Sequence, residues 1–222
     1  FRLQPSELAK LALIVLTAIP ASVAGEYELS QRFGEKTVTL SQRLLRTAEG
    51  YLATIESSDG ATDRLVMDSE RSTLEWRRSF PAEGTEIVAK RSGSTVSLTG
   101  RFKNKPVSVV EKIGDLPWFQ FQELSYPAIL DKRAAEFWTI SRRDLKAASF
   151  RAELQGSETL EVMGGSVSAR RFLLTVKGIP RAVFKSSYWL RSSDGVFLRL
   201  EVPPVFGFSG GGAELVGERP VS

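Results

Sequence analysis

From Glu26 to Val202 the chain is a succession of short runs rich in β-branched and aromatic residues, broken by turn-forming residues about every 8 to 12 positions. About fourteen such runs qualify as strands, at 27–33, 36–46, 51–57, 63–68, 73–80, 86–90, 95–102, 106–113, 136–141, 147–154, 158–162, 168–177, 182–191 and 196–202. Side chains alternate within them. In 73–80, Leu74, Trp76 and Phe80 fall on one face and Glu75 and Arg77 on the other, and in 95–102, Val96, Leu98 and Phe102 oppose Thr95, Ser97 and Arg101. The same period selects Phe172, Leu174 and Val176, and then Val196, Leu198, Leu200 and Val202, as inward sets. One apolar face per strand describes a sheet wetted on one side and covered or lined on the other. Asp59-Gly60, Glu83-Gly84, Ser92-Gly93, Gly164-Gly165 and Asp194-Gly195 supply the left-handed positions that tight hairpins require. Strands joined by turns this short pair antiparallel, because parallel neighbours need long crossovers. The expected fold is all-β, a curled antiparallel meander closing into a half-barrel or barrel around a core or a hollow.

Three segments depart from that rhythm. Residues 116–130 are aromatic and place Trp118, Phe121, Gln122 and Ser125 at helical spacing, with Asp115 as N-cap and Pro117 in the first turn. This predicts one short helical insert around 117–126, ending before Pro127 and lying over the sheet as a plug or lid. Past Val202, the residues Pro203, Pro204 and Gly210 to Gly212 predict a flexible Gly/Pro-rich tail over 203–222, following a single β domain over 25–202. At the other end, an apolar run from Leu11 to Ala24 follows Lys10 and closes on Pro20, Ser22 and Ala24. That pattern reads as a signal peptide over 1–24, cleaved after Ala24. It is shorter than the roughly 20 apolar residues of a membrane-spanning helix. A periplasmic or otherwise exported bacterial protein is expected, meeting the membrane only through export.

Composition removes most catalytic chemistry. The 222 residues include no Cys and no His, which excludes Ser-His-Asp and Cys-His nucleophiles, thiolate redox sites and the usual zinc ligands. With 42% hydrophobic residues, a chain of this length builds a core without disulfides. The net charge is +4, but basic pairs such as Arg77-Arg78, Lys90-Arg91, Arg142-Arg143 and Arg170-Arg171 are dispersed rather than gathered along a groove with stacking aromatics. Nucleic acid is therefore not an expected partner. Residues 57–63 and 192–195 offer turn chemistry rather than a calcium loop, and the glycines at 207 and 210–212 lack the Gly-Lys-Ser/Thr of a phosphate loop. No cofactor, metal site or catalytic set is expected.

Two constellations remain. Asp115, Glu123, Asp131 and Glu136 surround the aromatic segment, and paired carboxylates near Trp118 and Trp138 are what a glycan-acting enzyme would use. Rings are the stronger signal. Trp118, Phe119, Phe121, Tyr126, Phe137 and Trp138 crowd into positions 118–138 of a chain that is 9% aromatic overall. Such rings either fill a core or line an apolar cavity. The expected ligand-binding set is Trp76, Trp118, Phe119, Phe121, Leu124, Phe137, Trp138 and Trp189, acting through burial of apolar surface at roughly 25 cal/mol per Å².

The alternating strands from Lys36 to Phe102, the aromatic interruption at Pro117 to Leu130 and the closing run Tyr188-Trp189-Leu190-Arg191-Ser192-Ser193-Asp194-Gly195-Val196-Phe197-Leu198-Arg199 together resemble the periplasmic lipoprotein carriers and their uncharacterised relatives. The closing run is also similar to that of a family of uncharacterised bacterial envelope domains. The resemblance is one of architecture, so no binding residue is carried over. It implies an antiparallel half-barrel with a lipid-binding concave face under a helical lid, and hence a non-catalytic protein that binds a lipid or a lipoprotein. The alternative is a structural or assembly module of the cell envelope, with a filled core, that binds another envelope protein through a strand edge or the aromatic segment.

Overall fold

A computed structural model describes residues 22–179, 184–204 and 210–219. Its strands are β1 (Ser22–Phe33), β2 (Lys36–Arg46), β3 (Gly50–Ser57), β4 (Thr62–Asp68), β5 (Thr73–Phe80), β6 (Thr85–Ser92), β7 (Thr95–Phe102), β8 (Lys105–Lys112), β9 (Ala134–Ile140), β10 (Ala147–Val162), β11 (Gly165–Val176), β12 (Ser186–Arg191), β13 (Phe197–Val202) and β14 (Gly211–Arg219). All belong to one curled, unclosed antiparallel sheet in the order β8-β7-β6-β5-β4-β3-β2-β1-β14-β13-β12-β11-β10-β9. The first and last described strands therefore lie side by side in mid-sheet, while the two edges, β8 and β9, are neighbours in sequence. The link between those edges carries helix α1 (Gln122–Ser125) and a 3₁₀ turn (Tyr126–Ile129). It runs through the lumen and plugs it.

The plug starts as extended chain, and its backbone is satisfied from both flanks. On one flank the Thr73 N–H donates to the Trp118 carbonyl (2.6 Å), and the Trp118 N–H donates to Ser72 Oγ (3.1 Å). On the other, the Phe119 N–H donates to the Trp138 carbonyl and the Trp138 N–H to the Pro117 carbonyl, both at 2.8 Å. Gln120 extends this pairing with its side chain. Its amide nitrogen donates to the Ile140 carbonyl (2.9 Å), and its amide oxygen accepts from the Ile140 N–H (3.1 Å) and from Trp118 Nε1 (2.9 Å). Buried polar groups cost free energy unless paired, so these bonds are what allow an irregular segment to lie inside a barrel.

Rings then fill the space. Phe150 stacks on Phe137 (centroids 5.8 Å apart), Phe137 contacts Phe119 (4.9 Å) and the edge of Tyr126 (5.8 Å), Tyr126 meets Tyr188 (4.8 Å), and Tyr188 meets Phe197 (6.0 Å). This line of rings crosses from β10 to β13 through the plug, in the offset and edge-on geometries aromatic quadrupoles favour. On the other side of the lumen Leu40, Leu44, Ile55, Leu65, Ile87 and Leu98 are buried beneath it.

Several sequence expectations need correction. The helical insert is present but begins at Gln122 rather than Pro117. Its N-cap is Phe121, not Asp115, because residues 117–120 are held extended by strand-like bonds. The runs 147–154 and 158–162 are one strand, β10, with a register shift at Gly156. Leu74 is exposed (42%) although Trp76 and Phe80 are buried, since a bulge against Val66 and Met67 turns it outward. In β13 a second shift, opposite Trp189 and Leu190, buries both Phe197 and Leu198.

The flexible tail is also corrected where it is described: residues 211–219 form β14, paired with both β1 and β13. Its glycines are there for close approach. A Cβ at Gly211 would lie 2.4 Å from the Arg32 carbonyl oxygen, and one at Gly212 would lie 2.6 Å from that of Leu200. Residues 205–209 and 220–222 of the expected tail lie outside the described residues, as do 1–21 of the expected signal peptide. β1 nevertheless starts at Ser22, ahead of the boundary drawn at Gly25, with Ser22 paired to Arg46 and Val23 to Leu45.

Replacing Gln120 with Leu would strand the Ile140 amide groups and the Trp118 indole N–H, each worth about 1–3 kcal/mol when left buried and unpaired. Urea denaturation should show Gln120→Leu destabilised by roughly 3 kcal/mol or more, with an unchanged slope.

Candidate functional site

Among the described residues two clefts lie on either side of the plug, and they share Glu123. One, of about 150 Å³, lies between the plug residues Glu123, Leu124 and Pro127 and a wall that includes Tyr27, Leu29 and Gln42. The other, of about 230 Å³, lies between Phe121, Gln122 and Glu123 and a wall that includes Gln31 and Tyr188. Arg71 and Asp194 line the first, Arg142 the second. A larger hollow of about 440 Å³ sits on the outer face, but Glu26 in it is already engaged by Arg43 and Arg219.

The polar groups of the lumen form a network centred on α1. Gln42 Nε2 donates to Glu123 Oε1 (3.0 Å). Gln122 Oε1 accepts from both tyrosine hydroxyls, Tyr188 at 2.7 Å and Tyr126 at 3.0 Å, while Gln122 Nε2 donates to Thr139 Oγ1 (3.2 Å). One carbonyl oxygen takes two donors because it carries two lone pairs. Burial pushes both tyrosine hydroxyls to well above their ordinary range, so they act as fixed donors. Burial also raises the Glu123 carboxyl, more than the bond from Gln42 and the charge of Arg142 lower it. Glu123 is thus held towards its neutral form.

Arg71 fixes the plug at the first cleft. It adopts a left-handed backbone (φ 60°), unusual for a non-glycine residue, donates to the Leu124 carbonyl (2.9 Å) and stacks over the Tyr51 ring (4.5 Å). The turn that presents it is tied by Asp68, whose carboxylate accepts from the Glu70 and Ser72 N–H groups. Beside it, Arg191 makes a two-pronged contact with Glu218 (2.7 Å to each oxygen) and a second with Asp194 (2.9 and 2.8 Å). This clasp ties the end of β12 to β14.

Of the eight residues expected to bind ligand, the structure brings only Phe121 and Leu124 to the clefts. Trp76, Trp118, Phe119 and Phe137 are buried in the packed wall, with the Trp76 indole donating to Asp63 (2.7 Å). Trp138 follows Phe137 on its strand and takes the opposite face. Trp189 does the same relative to Tyr188. Its indole donates to Glu158 of the long β10–β11 hairpin and its ring lies under Arg171. The nominated carboxylates do not converge. Asp131 is exposed and paired with Arg170, Glu136 is paired with Arg151 on the outside, and Asp115 is exposed; Glu123 alone lines the lumen. Gln42, Gln122, Arg71 and Tyr188 were not anticipated. Gln42 was visible in principle, as the one polar residue in the inward series Leu40, Gln42, Leu44.

Comparison with known proteins bears on the fold. The chain is similar to a β-barrel-like protein of the domain of unknown function DUF1849 from Brucella abortus, with a TM-score of 0.55 and 9% identity over 87% of this chain and 95% of that one. That likeness is one of fold. A hypothetical lipoprotein, YmcC from Escherichia coli, aligns over 99% of both chains at 10% identity, but with a TM-score of 0.34. No family model and no curated protein matches the sequence. Among the described residues no helix is long and apolar enough to cross a membrane, and no three acidic residues gather in a metal-binding arrangement.

The raised carboxyl of Glu123 has a definite sign. The folded state holds its proton above the ordinary value of 4.5, so this group contributes stability below that pH and loses it as pH rises through the folded value. Glu123→Gln keeps an oxygen for Gln42 and removes the titration. Urea midpoints should show it more stable than the parent at pH 7–8, with the difference vanishing towards pH 4.

Proposed function

We propose that this is a non-catalytic binding protein of the bacterial envelope that holds an apolar chain with a polar end, a lipid or the acyl part of a lipidated partner, in the lumen beside the plug. The observation that carries this reading is the pair of clefts meeting at Glu123. Each places apolar contacts (Leu29, Leu124 and Leu215 in one, Phe121 and Leu200 in the other) next to a few oriented polar groups. That mixture is the normal construction of a small-molecule site. A carboxyl that burial shifts towards its neutral form sets less charge against an alkyl chain. Of the two carboxyl groups that line the clefts, Asp194 is clasped through both oxygens by Arg191, which leaves no opposed acid–base pair there among the described residues and suits retention better than bond cleavage. The buried rings of Trp76, Trp118, Phe119 and Phe137 serve as a rigid wall behind the contact residues rather than as the contacts themselves. Export is supported by the apolar run before Ser22.

Protein purified from bacterial cells should carry a co-purifying mass in native mass spectrometry and should bind a fluorescent fatty acid saturably. Leu124→Trp fills the first cleft and should abolish both signals, whereas Leu52→Trp on the outer face should change neither. A parent protein without bound mass and without saturable uptake of the probe would refute the reading.

A further inference from the structure

The two edges of the sheet are treated differently. The outer side of β9 is sealed by the plug, through the paired bonds of Pro117 and Phe119 with Trp138. β8 has no such backbone cover among the described residues, only the Glu111 side chain near one end reaching the Ala147 N–H: Lys105, Pro106, Ser108, Val109, Val110 and Lys112 are all exposed, Val110 to 63%.

The phase of its free hydrogen-bonding groups follows from the hairpin. Lys103 and Asn104 both have left-handed φ (50° and 64°), so Phe102 and Lys105 close a two-residue turn as a hydrogen-bonded pair. Alternation then directs Lys105, Val107, Val109 and Glu111 towards β7 and directs Pro106, Ser108, Val110 and Lys112 away from it. The Ile113 N–H donating to the Ser94 carbonyl (2.9 Å) agrees with that phase. Pro106, which has no N–H, occupies an outward position, where its loss costs the ladder nothing. Among the described residues nothing accepts from the outward N–H groups of Ser108, Val110 and Lys112.

Charge selects the occupant. Arg101, Lys105 and Lys112 are exposed, and none of them has an ion-pair partner among the described residues. A second copy laid antiparallel on this edge with Ser108 opposite Val110 would set Lys112 against Pro106, so it offers neither lysine a carboxylate directly opposite. Lysine and proline are devices that discourage indiscriminate edge pairing, and here they flank a short unguarded stretch of Ser108, Val109 and Val110. We propose that β8 is a docking edge for an extended, acidic segment of a partner protein. That segment adds as a further strand, bonded to the outward groups of Ser108, Val110 and Lys112, with its carboxylates opposite the flanking lysines.

The test uses a synthetic peptide of Val and Thr carrying two Glu residues seven positions apart, so that one lies on each face, and a control with Lys in place of Glu. Amide exchange followed by NMR should show the acidic peptide protecting Ser108, Val110 and Lys112, while the control does not bind. The double variant Lys105→Glu/Lys112→Glu should weaken the acidic peptide about tenfold or more and admit the control. Val110→Pro removes an outward donor without touching the β7 ladder and should abolish binding; if circular dichroism shows it unfolded, the charge-reversed variant decides. Acidic peptide that leaves the three amides unprotected, or control peptide that binds the parent equally well, overturns the proposal. Sedimentation showing a dimer that Val110→Pro dissolves overturns it in favour of a second copy.

Discussion

The structure depends on one segment being able to lie inside the barrel without leaving its backbone unpaired. Residues 117–120 meet Ser72 and Thr73 on one flank and Trp138 and Ile140 on the other. They therefore tie together two parts of a sheet whose own edges never join through backbone bonds. An open sheet of this length would otherwise present a broad apolar face to water. The topology makes the solution local: because β8 and β9 are consecutive, the connection between them is the piece of chain placed to fill the gap. At the rim, Lys103 reaches the Arg143 carbonyl (3.0 Å) and Glu111 accepts from the Ala147 N–H (3.4 Å), so side chains bridge the seam where ladder bonds do not.

Much of the fold was legible because a period of two with one apolar face has few interpretations. Failures came where a local rule was overridden by tertiary contact. Leu74 follows the alternation on paper and breaks it in the sheet because a bulge shifts the phase. β14 looks like a tail because Gly211 and Gly212 have poor strand propensity, yet only glycine fits where the backbones of β1 and β13 come so close. The segment 117–120 reads as the first turn of a helix from Pro117 and the aromatic spacing, but strand-like bonds to Trp138, a long-range contact, hold it extended.

The site was less legible for a related reason. Aromatic density marked the right region without saying which rings face a hollow and which face each other. Tyr188 and Trp189 are adjacent and both buried, yet in the folded chain one reaches into the lumen while the other lies under the β10–β11 hairpin. Polar side chains carry the information the rings do not. Gln42, Gln122 and Glu123 are costly to place inside a barrel, and their mutual bonds mark where the interior is left unfilled by carbon.

The pairing of β1 with β14 has a consequence for how the molecule is made. Residues nearly two hundred positions apart, such as Glu26 and Arg219, must meet to join the two halves of the sheet. During synthesis the first eight strands emerge with β1 as a temporary bare margin. It stays uncovered until β14 arrives. Contacts this distant along the chain slow folding and lengthen the interval in which nascent material is exposed to aggregation, so the β1 margin is the place where that exposure is concentrated until β14 is paired.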